Sequence, residues 1–213
     1  MHGAHLAAMR DHGLVLETPK GRLAVDTARF VEHPSEAGSC DVVLFAVKAY
    51  DIESAAAPLK LLVDGGACVV SVLNGVDHQD RIASVLGAGS VLGGLAMVSG
   101  VIAGPGLIRY TSDMSGLRFG ETDGSMSERA MAFRDACQGA GFSADLVPDI
   151  RVAQWAKFVG LATNTPLATG DEPDRGVPPS VPQTLNTLAT AYDVGLHTRW
   201  WGAAGAGPSA VTS

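Results

Sequence analysis

Lysine is scarce in this 213-residue chain: four lysines stand against eleven arginines, so lysine is not its ordinary means of placing a surface charge. Cysteine is scarcer still. Cys40, Cys68 and Cys137 are odd in number and have neither metal nor redox spacing, which makes reduced thiols in a cytoplasm the expected state. No run of roughly eighteen apolar residues is present to span a bilayer, and no signal peptide is visible. A basic stripe is also missing, and a formal net charge of −7 argues against nucleic acid or an anionic membrane surface as the main partner. The six histidines show no metal spacing, no Gly-x-Gly-x-x-Gly phosphate loop lies near the start, and no nucleophile elbow occurs.

What is present is concentrated between Asp41 and Asp77. Asp41 to Val47 (Asp-Val-Val-Leu-Phe-Ala-Val) is a continuous β-branched and aliphatic run, the pattern of a strand buried on both faces of a parallel sheet. Ala67 to Leu73 repeats it. Between them, Ile52, Ala55, Ala56, Leu59 and Leu62 carry the three-and-four spacing of a helix over Asp51 to Val63. The stretch reads as one βαβ unit, whose strands point their carboxyl ends toward the edge where open α/β sheets place ligands. Lys48 and Asn74 are expected to emerge there side by side.

Before this unit, Gly3 to His12 reads as a short helix stopped by Gly13, and Leu14–Thr18 with Arg22–Asp26 as a β-hairpin about Pro19-Lys20-Gly21, decorating the sheet edge. After it come a helix from Asp77, as cap, to about Leu86, a small-residue strand within Ser90–Ser99, an antiparallel block over 107–111 and 117–121, a helix over 125–140 and a strand over 142–147. A last helix runs from Ile150 to about Ala162, with Val152, Trp155, Val159 and Ala162 as its apolar stripe, widened by Phe158 and Leu161. From Gly170 onward glycine and proline take 11 of 44 positions and no period is sustained apart from residues 181–194, so no structure is assigned. The paired Trp200 and Trp201 in that tail have no physical explanation.

Three residues carry the candidate chemistry. Lys48, at a strand end, can hold a phosphate, a ribose hydroxyl or a carboxylate, or can simply be a solvated lysine. Asn74, before Gly75, can present its amide to a cofactor or substrate oxygen, but Asn-Gly is also an everyday turn. Lys157, inside an apolar helix, either reaches out to water or is desolvated enough to serve as a proton donor near neutral pH.

Taken together, Gly3-Ala-His-Leu-Ala-Ala-Met-Arg-Asp-His-Gly-Leu14, Val47-Lys-Ala-Tyr-Asp51, Asn74-Gly-Val-Asp77, Phe119-Gly-Glu121 and Pro148 to Phe158, with Trp155 and Lys157, resemble the ketopantoate reductase (2-dehydropantoate 2-reductase) family. They occur in family order over about residues 3–167. The resemblance implies a cytoplasmic, NADPH-dependent reduction of 2-dehydropantoate to pantoate, in pantothenate and coenzyme A biosynthesis. It implies that Lys157 protonates the ketone oxygen as hydride arrives, and that Lys48 and Asn74 contact cofactor and substrate. Asn164 lies near a substrate-binding asparagine of the family, Leu161 stands in place of another, and His2 stands where the family carries an arginine for the 2′-phosphate.

The expected fold is α/β: a partial Rossmann-type NAD(P)-binding domain over 1–147 that lacks the first strand and glycine-rich loop, the start of a helical carboxyl-terminal substrate domain over 148–168, and a Gly/Pro-rich disordered tail over 169–213. A fragment whose start was lost and whose end left the ancestral reading frame is the expectation. Two rivals stay open: a non-catalytic remnant or partner-binding fragment with an exposed sheet edge, and a reductase of another 2-keto acid. A homodimer is one assembly open to the chain, whose sequence does not set its oligomeric state.

Overall fold

The computed structural model describes residues 3–111 and 115–168, the last seven by backbone alone. Two compact units divide at Ile150 and Arg151. In the first, α1 (Ala4–His12) ends where Gly13, at φ 76°, turns the chain into the hairpin β1 (Leu14–Thr18) and β2 (Gly21–Val25). The βαβ unit follows: β3 (Val42–Phe45), α2 (Ile52–Ala56), α3 (Lys60–Asp64) and β4 (Cys68–Ser71). Helix α4 (His78–Leu86) leads to β5 (Val91–Ala96), then β6 (Gly100–Gly104), β7 (Leu107–Tyr110), β8 (Leu117–Glu121), α5 (Glu128–Gly139) and β9 (Ala144–Leu146).

Strands β3, β4 and β5 are parallel neighbours in a five-stranded sheet of order β3-β4-β5-β8-β9, in which β8 runs antiparallel to β5. Alternating side chains feed two cores. On one face Phe45, Val69 and Val91 pack with Ile52, Ala56, Leu59, Leu62, Ile82 and Leu86 from the helices of the βαβ unit and α4. On the other, Cys68, Val70, Leu92, Leu117 and Phe119 pack with Ala130, while Phe133 of α5 tilts against Phe119 at 4.9 Å. The mixed α/β, Rossmann-like class expected from the alternation of buried strand and helix is what forms.

Three local expectations need correction. The helix over 51–63 is broken into α2 and α3 by a 3₁₀ turn at Ala57–Leu59, because Pro58 has no N–H to give the ladder. Asp77 occupies the cap position of α4, but it is its carbonyl, not its side chain, that accepts hydrogen bonds, from the N–H groups of Asp80 and Arg81. The hairpin does not decorate the parallel sheet. It builds a separate four-stranded sheet of order β2-β1-β7-β6, in which β1 runs parallel to β7, pairing Val15 with Leu107 and Glu17 with Arg109.

The second unit, from Arg151, contains α6 (Ile150–Ala168) apart from its first residue. Its burial departs from the expected stripe: Trp155, Phe158 and Leu161 are 50%, 41% and 38% exposed, while Ala153 and Gln154 are buried and Lys157 is half-buried. Gly160 is also buried, whereas the two aromatic rings meet each other edge to face at 5.8 Å. Asn164 falls in this helix, but its side chain, the tail over 169–213 and the Trp200–Trp201 pair lie outside the described residues. Among the described residues no helix is long and apolar enough to cross a membrane.

Candidate active site

Phe45 pairs with Ser71 at the last matched position of β3 and β4, and the Val72 N–H donates to the Phe45 carbonyl at 3.0 Å. Lys48 and Asn74 each lie three residues beyond this pair. The parallel register therefore delivers both to the carboxyl edge of the sheet, on neighbouring βα turns. Both are exposed. Lys48 is extended, at φ −78° and ψ 149°, and its carbonyl accepts the Asp51 N–H, which starts the turn into α2. Gly75, at φ 108°, lets the chain reverse after Asn74 without strain.

The two turns are tied together one helical step further on. Arg81 of α4 donates from Nε and Nη2 to both carboxylate oxygens of Glu53 in α2, each at 2.8 Å, a two-pronged bond that fixes orientation as well as distance. Beneath the Asn74 turn, Ser71 Oγ and His78 Nδ1 are hydrogen-bonded at 2.7 Å, with both residues almost wholly buried. Gln79, also buried, donates to the Val76 carbonyl at 3.4 Å. Sequence reading missed this support. Its signal was Ser71, the one hydroxyl in an aliphatic strand run, since a buried hydroxyl calls for a partner; the partner could not be read from the pattern.

The glycines of β5 allow the close approach expected of them: a Cβ on Gly94 would sit 2.8 Å from the Ser71 carbonyl and 3.0 Å from Val70 Cγ1. Phe119-Gly120-Glu121 has a structural role. A Cβ on Gly120 would collide with the Val147 carbonyl, and Glu121 accepts Arg129 through both oxygens at 2.7 Å, while Arg129 Nη1 reaches the Gly89 carbonyl at 2.6 Å. Burial pushes the Glu121 carboxyl up, but hydrogen bonds from Arg129 and Ser127 and the Arg129 charge outweigh it and hold it below the ordinary range. This brace lies at the end of β8 opposite Leu92, near the amino end of β5 and away from the Lys48 and Asn74 turns.

In the second unit, burial draws the Lys157 ammonium below the usual lysine range, since the charged form loses hydration. That is the direction a proton donor at moderate pH requires. The register brings Lys48 and Asn74 together; Lys157 stands in the other unit.

An open α/β sheet with parallel strands delivering polar turns to one edge is the architecture of the nucleotide-binding, Rossmann-like class. Residues 1–124 match the family model described as ketopantoate reductase PanE/ApbA. The chain belongs to the ketopantoate reductase family. It is 26% identical over 161 residues to an uncharacterized oxidoreductase, YkpB, of Bacillus subtilis, covering 76% of this chain and 52% of that protein. It is 28% identical over 194 residues to a 2-dehydropantoate 2-reductase of Halobacterium salinarum, covering 91% of this chain and 63% of that one. The crystal structure of 2-dehydropantoate 2-reductase from Porphyromonas gingivalis superposes with a TM-score of 0.71 at 25% identity, over 90% of this chain and 76% of that one. The chain thus spans between half and two-thirds of the two sequence relatives' lengths.

Proposed function

We propose that the chain is a nicotinamide-dependent oxidoreductase that uses NADPH to reduce 2-dehydropantoate to pantoate. The observation that carries this reading is the matched register that sets Lys48 and Asn74 on adjacent turns at the carboxyl edge. The residue types fit the group: an ammonium suits a phosphate or ribose hydroxyl, and a carboxamide both donates to and accepts from ribose and keto-acid oxygens. NADPH, when bound, supplies the hydride that attacks the ketone carbon. Lys157 gives its proton to the oxygen as the carbon–oxygen double bond opens, so that one hydride and one proton yield the alcohol. Asn74 serves both ligands, and Asn164 is assigned to the substrate. In this reading residues 1–147 bind the cofactor, 148–168 begin a substrate-binding helical domain, and the reaction belongs to a cytoplasmic route to pantothenate.

The test is titration of NADPH into the full chain with Lys48→Ala as control, followed by turnover of 2-dehydropantoate beside several other 2-keto acids. Saturable binding that the substitution weakens supports the reading, and a well-folded chain that binds nothing sinks it. Preference for a different 2-keto acid moves the substrate assignment and leaves the chemistry.

One observation favours a second reading, a partner-binding or non-catalytic role. Among the described residues strand β3 has a neighbour on one side only, and Leu44 in its middle is 55% exposed, an edge open to further strand pairing. Concentration-dependent self-association abolished by Leu44→Lys, in a chain that does not bind NADPH, selects this reading.

A further inference from the structure

The turn bearing Asn74 contains a glycine at positive φ, and so has more freedom to lose than a turn of its length without glycine. Yet it is closed beneath by two side chains that solvent barely reaches: Ser71 is 0% and His78 1% exposed, and their polar atoms lie 2.7 Å apart. The surrounding core is aliphatic, with Val69, Leu73 and Ile82 all buried. Burial alone would be satisfied by aliphatic residues at both positions, without stripping a hydroxyl and an imidazole of water. What a hydrogen bond adds is direction.

The geometry points to Ser71 and His78 as positioning residues that clamp the 72–77 turn and thereby hold Asn74 at the carboxyl edge beside Lys48. The turn is then fixed on all sides. The Ser71 carbonyl sits so close to β5 that only Gly94 fits there, the Val72 N–H is bonded to β3, and the Val76 carbonyl is held by the buried Gln79. The clamp joins the last residue of β4 to the first of α4, so it closes the turn as a loop whose span cannot drift. Asn74 itself stays outside, with its flanks immobilised. The inference rests on the cofactor reading for its purpose, but the clamping of the turn is measurable without cofactor.

The experiment uses the full chain and two readouts: turn exchange, the amide hydrogen exchange of the hydrogen-bonded N–H groups that bound the turn (Val72, Asp80 and Arg81), and NADPH titration. Ser71→Ala is expected to speed exchange in the turn and to weaken NADPH binding, each by roughly tenfold, the scale of one lost buried hydrogen bond. Ser71→Thr, which keeps the hydroxyl, is expected to restore both. Ile82→Val, a core change on α4 outside the clamp, is expected to lower the melting temperature while leaving turn exchange and binding as they were. If Ser71→Ala does not fold, the paired change Ser71→Ala with His78→Leu leaves neither of the clamp's polar groups behind and is expected to fold with the same loosened turn. Turn exchange unchanged in the folded clamp variants, or equally fast in Ile82→Val, overturns the inference. Wild-type chain that binds no NADPH removes the cofactor reading, and the exchange comparison then decides the clamp alone.

Discussion

Phe45 and Ser71 face each other across parallel strands, and the third residue beyond each is a polar side chain at the carboxyl edge of the sheet. The register bears out the expectation that Lys48 and Asn74 leave neighbouring strands at the same edge of the sheet.

If these two turns hold the cofactor, Lys48→Ala costs roughly 1.5–3 kcal/mol of NADPH binding, the range for hydrogen bonds to charged groups, or about tenfold to a hundredfold in Kd. Asn74→Ala falls at the lower end. Isothermal titration checks both, and a Kd unmoved by either change removes these residues from the site.

Lys157→Met is expected to cut turnover about 10²–10⁴-fold while leaving NADPH affinity near wild type, because a proton donor acts in the transition state. Since the donor must be protonated, kcat falls as pH rises through a value below the free-lysine 10.5. The folded chain holds this proton less tightly than the unfolded chain, so Lys157 contributes a rise in stability with pH between that lowered value and 10.5. A pH–rate profile flat up to 10.5 rules out the role.

The Glu121–Arg129 brace has the same pH sense, stability rising with pH, but acts in the acid range. Its carboxyl is held below the ordinary 4.5, so its stabilisation is complete above that value and is lost as pH falls through the folded one. Arg129→Met leaves an almost buried carboxylate without its partner and is expected to cost roughly 3 kcal/mol at neutral pH. Urea midpoints at pH 7 and pH 4 measure it, and the penalty should shrink at the lower pH.

Gly94→Ala pushes a methyl group against the Ser71 carbonyl and Val70, both in the middle of the sheet. A loss of about 1–3 kcal/mol is expected from overpacking, together with weakened NADPH binding, because Ser71 roots the Asn74 turn. Gly89→Ala, where a Cβ meets nothing within 4 Å, is the control and should match wild type.

The βαβ unit was legible because a parallel strand writes itself as an unbroken aliphatic run, and a one-sided helix as a period near 3.6; both rules act within a few residues, yet burial on both faces holds for β4 and not for β3, where Leu44 is exposed. The resemblance resting on the Lys48 and Asn74 turns was legible for the same local reason. Other features were settled only when elements packed against one another. β1 chose β7 as its parallel neighbour across more than eighty intervening residues, Ser71 found His78 only once β4 and α4 had packed, and Arg129 reached both Glu121 and Gly89. On α6 the hydrophobic pattern marked the aromatic side as the inward one, yet Ala153, Gln154 and Gly160 are the buried positions and Lys157 is half-buried. Local backbone and solvation preferences are carried by the residue types themselves, whereas which faces meet, and which polar groups lose their water, depends on the three-dimensional competition for the interior.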